Sequence, residues 1–377
     1  PEGLPENPAP GARPSSSALE NRPFCPSFRP PVMNYSIRSI PLNFLPNHPL
    51  ESYSNLHPGA IRTWPSRSRP TLKVLPSLSQ EDSPPAAPAA PRFSVIVPVR
   101  NRPADIRRCV EAVHALDFPR NAYELIVVEN GSTDATAREA RAAGARVIHE
   151  PIVNRCRARN LGALAARAPW LVFLDSDCVP DPDWLAAFDA FLENLSPADR
   201  ERTAIVAGAV LDVPPANVVE EYIARRGWFD QEKYLRQQER FVRPFALTAN
   251  LMVRRRVYLA LGGLDPGLPY PGEDADFCWR VADAGYRLSY APEARVTHHH
   301  RATLRALWIQ SCHWGIGQAD LFVKWRSRWR AWFWFKPVLL VWAAKGLLKS
   351  PWRWLRGRTP FERREPWLDF LANSAML

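Results

Sequence analysis

Phe93-Ser94-Val95-Ile96-Val97, closed by Pro98, is an apolar run too short for a helix and too continuous for a strand with one wet face. It predicts a strand buried on both sides, as in a parallel sheet. The sequence after it repeats the same unit. Pro103 opens a segment in which Ile106, Val110, Val113 and Leu116 recur at helical spacing. Residues 124–128 (ELIVV) are a second apolar run, and Gly131-Ser132-Thr133-Asp134 turns the chain into a helix that Ser, Thr or Asp can cap. Gly144 ends that helix, and 145–149 is a weaker third strand. An Ala-rich helix over 157–167 stops at Pro169, and 170–174 (WLVFL) is a fourth strand. Strand and helix alternate with short links, which predicts an α/β fold with an open, mostly parallel sheet flanked by helices.

Further along, 204–211 reads as another strand and 217–240 as a charged, helix-like stretch carrying Trp228 and Phe229. Residues 246–253 are apolar, and Gly262-Gly263 breaks the chain. Residues 272–284 form a helix ended by Gly285. Two short strands, 286–290 and 294–297, lead into His298-His299-His300.

The ends differ in composition. Residues 1–91 hold much of the chain's 39 prolines, with Ser, Asn and Arg, and show no apolar period. Such a tail cannot bury enough apolar surface to offset its ordering entropy, so disorder is expected there. The chain opens on Pro1, and its native start is expected upstream. Six cysteines without a CxxC pair, several at apolar positions, suit reduced thiols in a cytoplasmic protein and not a disulfide or zinc scaffold.

The net charge is +11, with cations clustered at Lys324, Arg326, Arg328 and Arg330. The segment 331–348 is apolar but broken by Lys336, Pro337 and Lys345, short of the ~20 uninterrupted residues a membrane span needs. Trp, Arg and Lys flanking short apolar stretches suit a segment lying in a membrane interface. A peripheral membrane contact at the inner face is therefore expected, and nucleic acid is not. A helical hairpin packed on the α/β domain is the alternative for 302–377.

In open α/β sheets ligands sit at the carboxyl ends of the strands. The polar segments at those ends are Arg100-Asn101-Arg102, Glu129-Asn130-Gly131 and Asp175-Ser176-Asp177. Asp175 and Asp177, two residues apart past an apolar strand, can hold a hard divalent cation, Mg²⁺ or Mn²⁺, that keeps positions open for phosphate oxygens. Alone, the pair could equally cap a helix near Pro180. Glu273-Asp274 at a helix start offers a carboxylate base, or two acids favoured by the helix dipole.

Taken in order, residues 94–101 (SVIVPVRN), 127–134 (VVENGSTD), 158–162 (ARNLG), 173–177 (FLDSD) and 272–274 (GED) resemble family 2 glycosyltransferases, over roughly residues 92–301. The resemblance implies a GT-A fold and inverting transfer of a sugar from a nucleotide-sugar donor to a hydroxyl acceptor. It implies that Pro98, Val99 and Asn101 cradle the nucleoside. Glu129 stands where the family usually has Asp, accepting from the base. Arg159 would lie near the pyrophosphate, with Arg155 and Arg157 as basic rivals. Asp175 would contact the ribose, and Asp177 would ligate the metal. His298 is implied as the second metal ligand, with His299 and His300 as rivals. Asp274 is implied as the base, with Glu273 orienting it or the acceptor.

Gln310-Ser311-Cys312-His313-Trp314 is similar to the Q-x-x-R-W signature of polysaccharide synthases, with His313 in place of Arg. That resemblance implies that Trp314 stacks on the acceptor, while the missing Arg and the lack of several membrane helices favour a single transfer over processive synthesis. The stretch from His298 to Gly317 more faintly resembles the glycosyltransferases of mycofactocin biosynthesis. A nucleotidyltransferase would need a Gly-rich, Lys-bearing phosphate loop, which residues 99–102 lack. A degenerate, non-catalytic binding scaffold is the remaining alternative, and the presence of Asp175, Asp177 and Asp274 weighs against it.

Overall fold

A computed structural model describes residues 90–236, 243–325, 335–356 and 359–376. Nearly all of the Pro-rich tail, and Arg326, Arg328 and Arg330, lie outside the described residues.

The first half follows the predicted alternation: β1 (Phe93–Val99), α1 (Pro103–His114), β2 (Tyr123–Glu129), α2 (Thr136–Ala142), β3 (Arg146–His149), α3 (Arg155–Ala165) and β4 (Trp170–Leu174). The second half adds β5 (Cys178–Pro180), α4 (Trp184–Glu193), α5 (Pro197–Arg202), β6 (Thr203–Asp212), α6 (Val218–Arg226), α7 (Gln231–Arg236), β7 (Asn250–Arg254), α8 (Arg255–Ala260), α9 (Glu273–Asp283) and β8 (Arg287–His298). Among the described residues three helices follow: α10 (Leu304–Trp325), α11 (Phe335–Arg356) and α12 (Pro360–Met376).

The eight strands form one sheet in the order β3-β2-β1-β4-β7-β6-β8-β5. β3, β2, β1 and β4 run parallel, β7 is antiparallel to β4 and β6, and β6 and β8 are again parallel. The buried-strand reading holds residue by residue. Val95, Val97 and Val99 of β1 enter one core with α1 and α4, whereas Ile96 enters the other with α3, α8 and α9. Alternate residues thus serve opposite faces, and both faces are dry.

Several boundaries differ from those the sequence predicts, each for a local reason. The helix expected at 157 starts at Arg155, because the Asn154 side chain accepts from the amides of Cys156 (2.9 Å) and Arg157 (3.1 Å). The helix expected over 217–240 ends at Gly227, whose φ of 58° lies in the left-handed region that stops helices. Within the apolar stretch 246–253 only the part from Asn250 onward is strand, and β5 is too short to show as an apolar run.

The strands expected at 286–290 and 294–297 are one, β8, whose register against β6 shifts at Gly208/Ala209. A side chain at Gly208 would meet the Ala294 carbonyl at 2.3 Å. Buried Asn250 pins this irregularity, donating to the carbonyls of Ala209 and Ala294 (2.8 Å each) and accepting from the Trp184 indole (2.9 Å). A bulge re-aims the end of a strand, and here that end carries His298.

Candidate active site

The ends of β1 and β2 are tied by a hydrogen-bonded loop. Asn101, at φ 52°, donates its amide to Ser132 Oγ (3.1 Å), and its Oδ1 accepts from the Thr133 amide (2.9 Å). Pro98 and Val99 precede it at the strand end. Glu129 is buried and accepts from the Ser132 amide, while its other oxygen meets His149 Nδ1. Burial pushes its carboxyl up, but the Ser132 donors and His149 outweigh this and hold it below the usual range. Both of its oxygens therefore have partners within the chain.

The three arginines of α3 separate by helical phase. Arg157 turns to Glu150 (3.3 Å), away from the site. Arg155 and Arg159, four residues apart and so on one face, both approach Glu273 Oε1, at 3.7 and 4.0 Å. Arg159 is buried, and its Nη2 donates to Asp175 Oδ1 at 2.6 Å. Burial alone would lower its pKa; Asp175, Asp274 and Glu273 reverse this and keep the guanidinium charged.

Asp177 stands next to β5, which pairs with β8 so that Cys178 opposes His298. His298 Nε2 is 3.5 Å from Asp177 Oδ1, and these groups with Cys178 Sγ lie within 4.8 Å of one another. Burial lowers the pKa of His298, leaving the neutral ring whose lone pair can bind a metal. Its ring stacks on Phe229 (centroids 4.0 Å apart), and its Nδ1 lies 3.1 Å from His300 Nδ1. The rivals have other duties: His300 Nε2 bonds Asp212 (2.5 Å), and the His299 amide donates to the Asp177 carbonyl (3.0 Å). Burial and the two aspartates push the Cys178 thiol up, so the charge in this group comes from Asp177. A carboxylate beside a neutral imidazole fits a divalent cation such as Mn²⁺.

Glu273 and Asp274 begin α9. Glu273 is buried and accepts from the Gly272 amide (2.9 Å). Asp274 Oδ1 is buried without a hydrogen-bond partner among the described residues. Burial first, then the Glu273 charge, raise its carboxyl to about 7, against the pull of Arg159. Asp175 and the α9 acids thus share the charge of Arg159.

Trp314, on α10, packs edge-on against Trp228 (4.5 Å), which packs on Tyr222 of α6. His313 lies against Tyr270, with ring centroids 5.0 Å apart. Phe229 behind His298 and Thr248 beside Asp274 were not singled out for these places; their contacts arise only in three dimensions.

The profile of Glycosyl transferase family 2 matches residues 94–262. The O-antigen chain rhamnosyltransferase WbaN of Salmonella anatum is 30% identical over 224 residues, covering 57% of this chain and 68% of WbaN. The chain belongs to glycosyl transferase family 2. The pre-mycofactocin glycosyltransferase of Mycobacterium tuberculosis is 31% identical to this family 2 chain over 251 residues, or 64% of it. The chain spans only about half (50%) the length of that relative. The mannosyltransferase PcManGT of Pyrobaculum calidifontis, solved with GDP-Man and Mn²⁺, superposes with a TM-score of 0.50 at 19% identity, covering 76% of this chain and 86% of its own. That likeness is one of fold, the GT-A fold expected from the motifs.

Proposed function

We propose that this family 2 chain transfers a sugar, with inversion, from a nucleotide-sugar donor to a hydroxyl acceptor, using Mn²⁺ or Mg²⁺. The observation that carries the reading is Asp274: a buried carboxyl raised to about 7, one oxygen of which has no hydrogen-bond partner among the described residues, lying in the field of the Arg159 guanidinium that holds Asp175 at the strand end. An acid tuned near neutrality accepts a proton more readily than a surface aspartate while still being largely ionised just above that pH.

Asp274 takes the proton of the acceptor hydroxyl as its oxygen attacks the anomeric carbon from the face opposite the departing diphosphate. Glu273, fixed by the Gly272 amide, and Arg155 set the field around that carboxylate. Asp175, held by Arg159, is oriented for the donor ribose, and Arg159 brings positive charge towards the diphosphate. Pro98, Val99, Asn101 and Glu129 form the nucleoside end. Glu129 acts there by bracing the loop through Ser132, since its oxygens already have partners. Asp177 and His298 would hold the cation, which when bound would supply positive charge to offset that growing on the diphosphate. Trp314 and its neighbour Trp228 offer aromatic surface to the acceptor.

The test is thermal shift with a panel of nucleotide sugars, in Mn²⁺ and in EDTA. One donor should stabilise the protein only with metal, and Asp177→Asn should remove that increment. Asp274→Asn should keep it and lose turnover. Equal stabilisation in EDTA, or near-normal turnover by Asp274→Asn, would overturn the assignment.

A further inference from the structure

Most large apolar side chains left exposed among the described residues lie between Leu304 and Trp367, on the last three helices. On α11 four of the five follow a pattern, and the fifth, Leu347, 44% exposed, lies beside it. Val341, Leu348, Trp352 and Leu355 are 49, 78, 55 and 73% exposed, at spacings of seven, four and three residues. That spacing places them on one helical stripe. Lys345 lies on the same side, with Lys349 and Arg356 flanking it. Across its 22 residues α11 carries Lys336, Lys345, Lys349, Arg353 and Arg356 and no carboxylate. Arg353 reaches Glu365 of α12 at 3.9 Å.

An apolar stripe this exposed calls for a cover, and the charges choose it. A second copy docked about a two-fold axis would bring the same cations against themselves, which is repulsive. A neutral protein surface would leave them uncompensated. An anionic bilayer satisfies both features, taking the apolar stripe at the acyl boundary and the cations at the headgroups. No helix among the described residues is long and apolar enough to cross a membrane.

We infer that α11 is an in-plane membrane anchor that seats the protein on anionic lipid through Val341, Leu348, Trp352 and Leu355, with its lysines and arginines at the headgroups. α12 packs against α11 and also against α10 and α6, the helices that carry Trp314 and Tyr222. A side chain at Gly315, next to Trp314, would meet the Met376 carbonyl of α12 at 2.3 Å. The anchor is therefore joined by direct packing to the helices flanking the proposed acceptor side.

The experiment is flotation of the full chain with vesicles of phosphatidylcholine alone or mixed with phosphatidylglycerol, at low and high salt. Binding should require phosphatidylglycerol and weaken with salt. Lys349→Gln should reduce partitioning about fivefold, the worth of one cation near such a surface. The double variant Leu348→Glu/Leu355→Glu should abolish flotation while circular dichroism and donor-dependent thermal shift stay unchanged, because both side chains project into solvent. No flotation, flotation unaffected by the double variant, or a dimer by light scattering that the double variant dissociates would each overturn the anchor. The donor shift reads the active site separately, so loss of one does not entail loss of the other.

Discussion

Replacing Asp274 by Asn should make the protein inactive and, above neutral pH, more stable. An aspartate in the unfolded chain titrates at 3.8, and burial beside Glu273 raises Asp274 to about 7 in the fold. Between those values the folded state binds the proton that the unfolded state has lost. Stability contributed by this site therefore falls as pH rises from about 4, and the penalty is complete above about pH 7. The full separation corresponds to about 4 kcal/mol. Asp274 interacts with a neighbouring carboxylate, so the full separation is an upper bound, and about half of it, ~2 kcal/mol, is expected. For a domain of this size that is about 4–8 °C in Tm.

The assay is thermal unfolding of wild type and Asp274→Asn from about pH 4 to about pH 8. The difference in Tm should grow with pH in favour of Asn. Any cost of seating the amide is the same at every pH and drops out of the trend. A pH-independent difference, or one that turns against Asn as pH rises, would show that this carboxyl is not held out of its ordinary range, and the case for it as a tuned base would go with it.

The Glu273 charge is the second cause of the raised Asp274 value, so Glu273→Gln should move the acid limb of kcat/KM below that of wild type; a limb that moves upward or stays fixed contradicts the coupling. Gly317→Ala places a Cβ 1.8 Å from the Pro271 carbonyl, on the turn that leads into α9. It should cost kcat more than tenfold with little loss of helix content, and wild-type turnover would mean α10 does not set the position of Asp274. Trp314→Ala should raise the acceptor KM severalfold and leave donor binding unchanged; an equal loss of donor affinity would assign Trp314 a packing role only.

The fold was legible where burial was two-sided. β1, β2 and β4 announce themselves as apolar runs because Ile96, Ile126 and Phe173 go to one core and Val95, Val127 and Val172 to the other. β8 did not read as one strand because Pro292 and Glu293 interrupt it, exposed, at the point where its register with β6 slips. Its continuity rests on Asn250, more than forty residues away, and no local pattern reports that bond. Gly227 was visible in the sequence, yet the charged period around it continues far enough to suggest a single helix.

The site was legible for the same reason as the sheet. Residues that end buried strands must emerge together, so the sequence alone groups Glu129, Asp175 and Asp177. What the strands do not specify is which neighbour completes each group. Choosing among Arg155, Arg157 and Arg159 needs the phase of α3, whose start is set by the Asn154 cap at Arg155, two residues earlier than expected. Choosing among three histidines needs β5, whose short pairing with β8 puts Cys178 opposite His298 and leaves His300 to Asp212. Asp274 needs more still. Its helix is held by Lys324, which bridges Asp265 and Asp276 at 2.6 and 2.7 Å, and by the Trp325 indole, which donates to Asp276 at 2.9 Å. The residues after 302 thus reach back to the helix that carries the proposed base. A chain cut there would lose the support of α9 along with α11, so the two roles of the C-terminal helices separate only through point changes on the exposed face of α11.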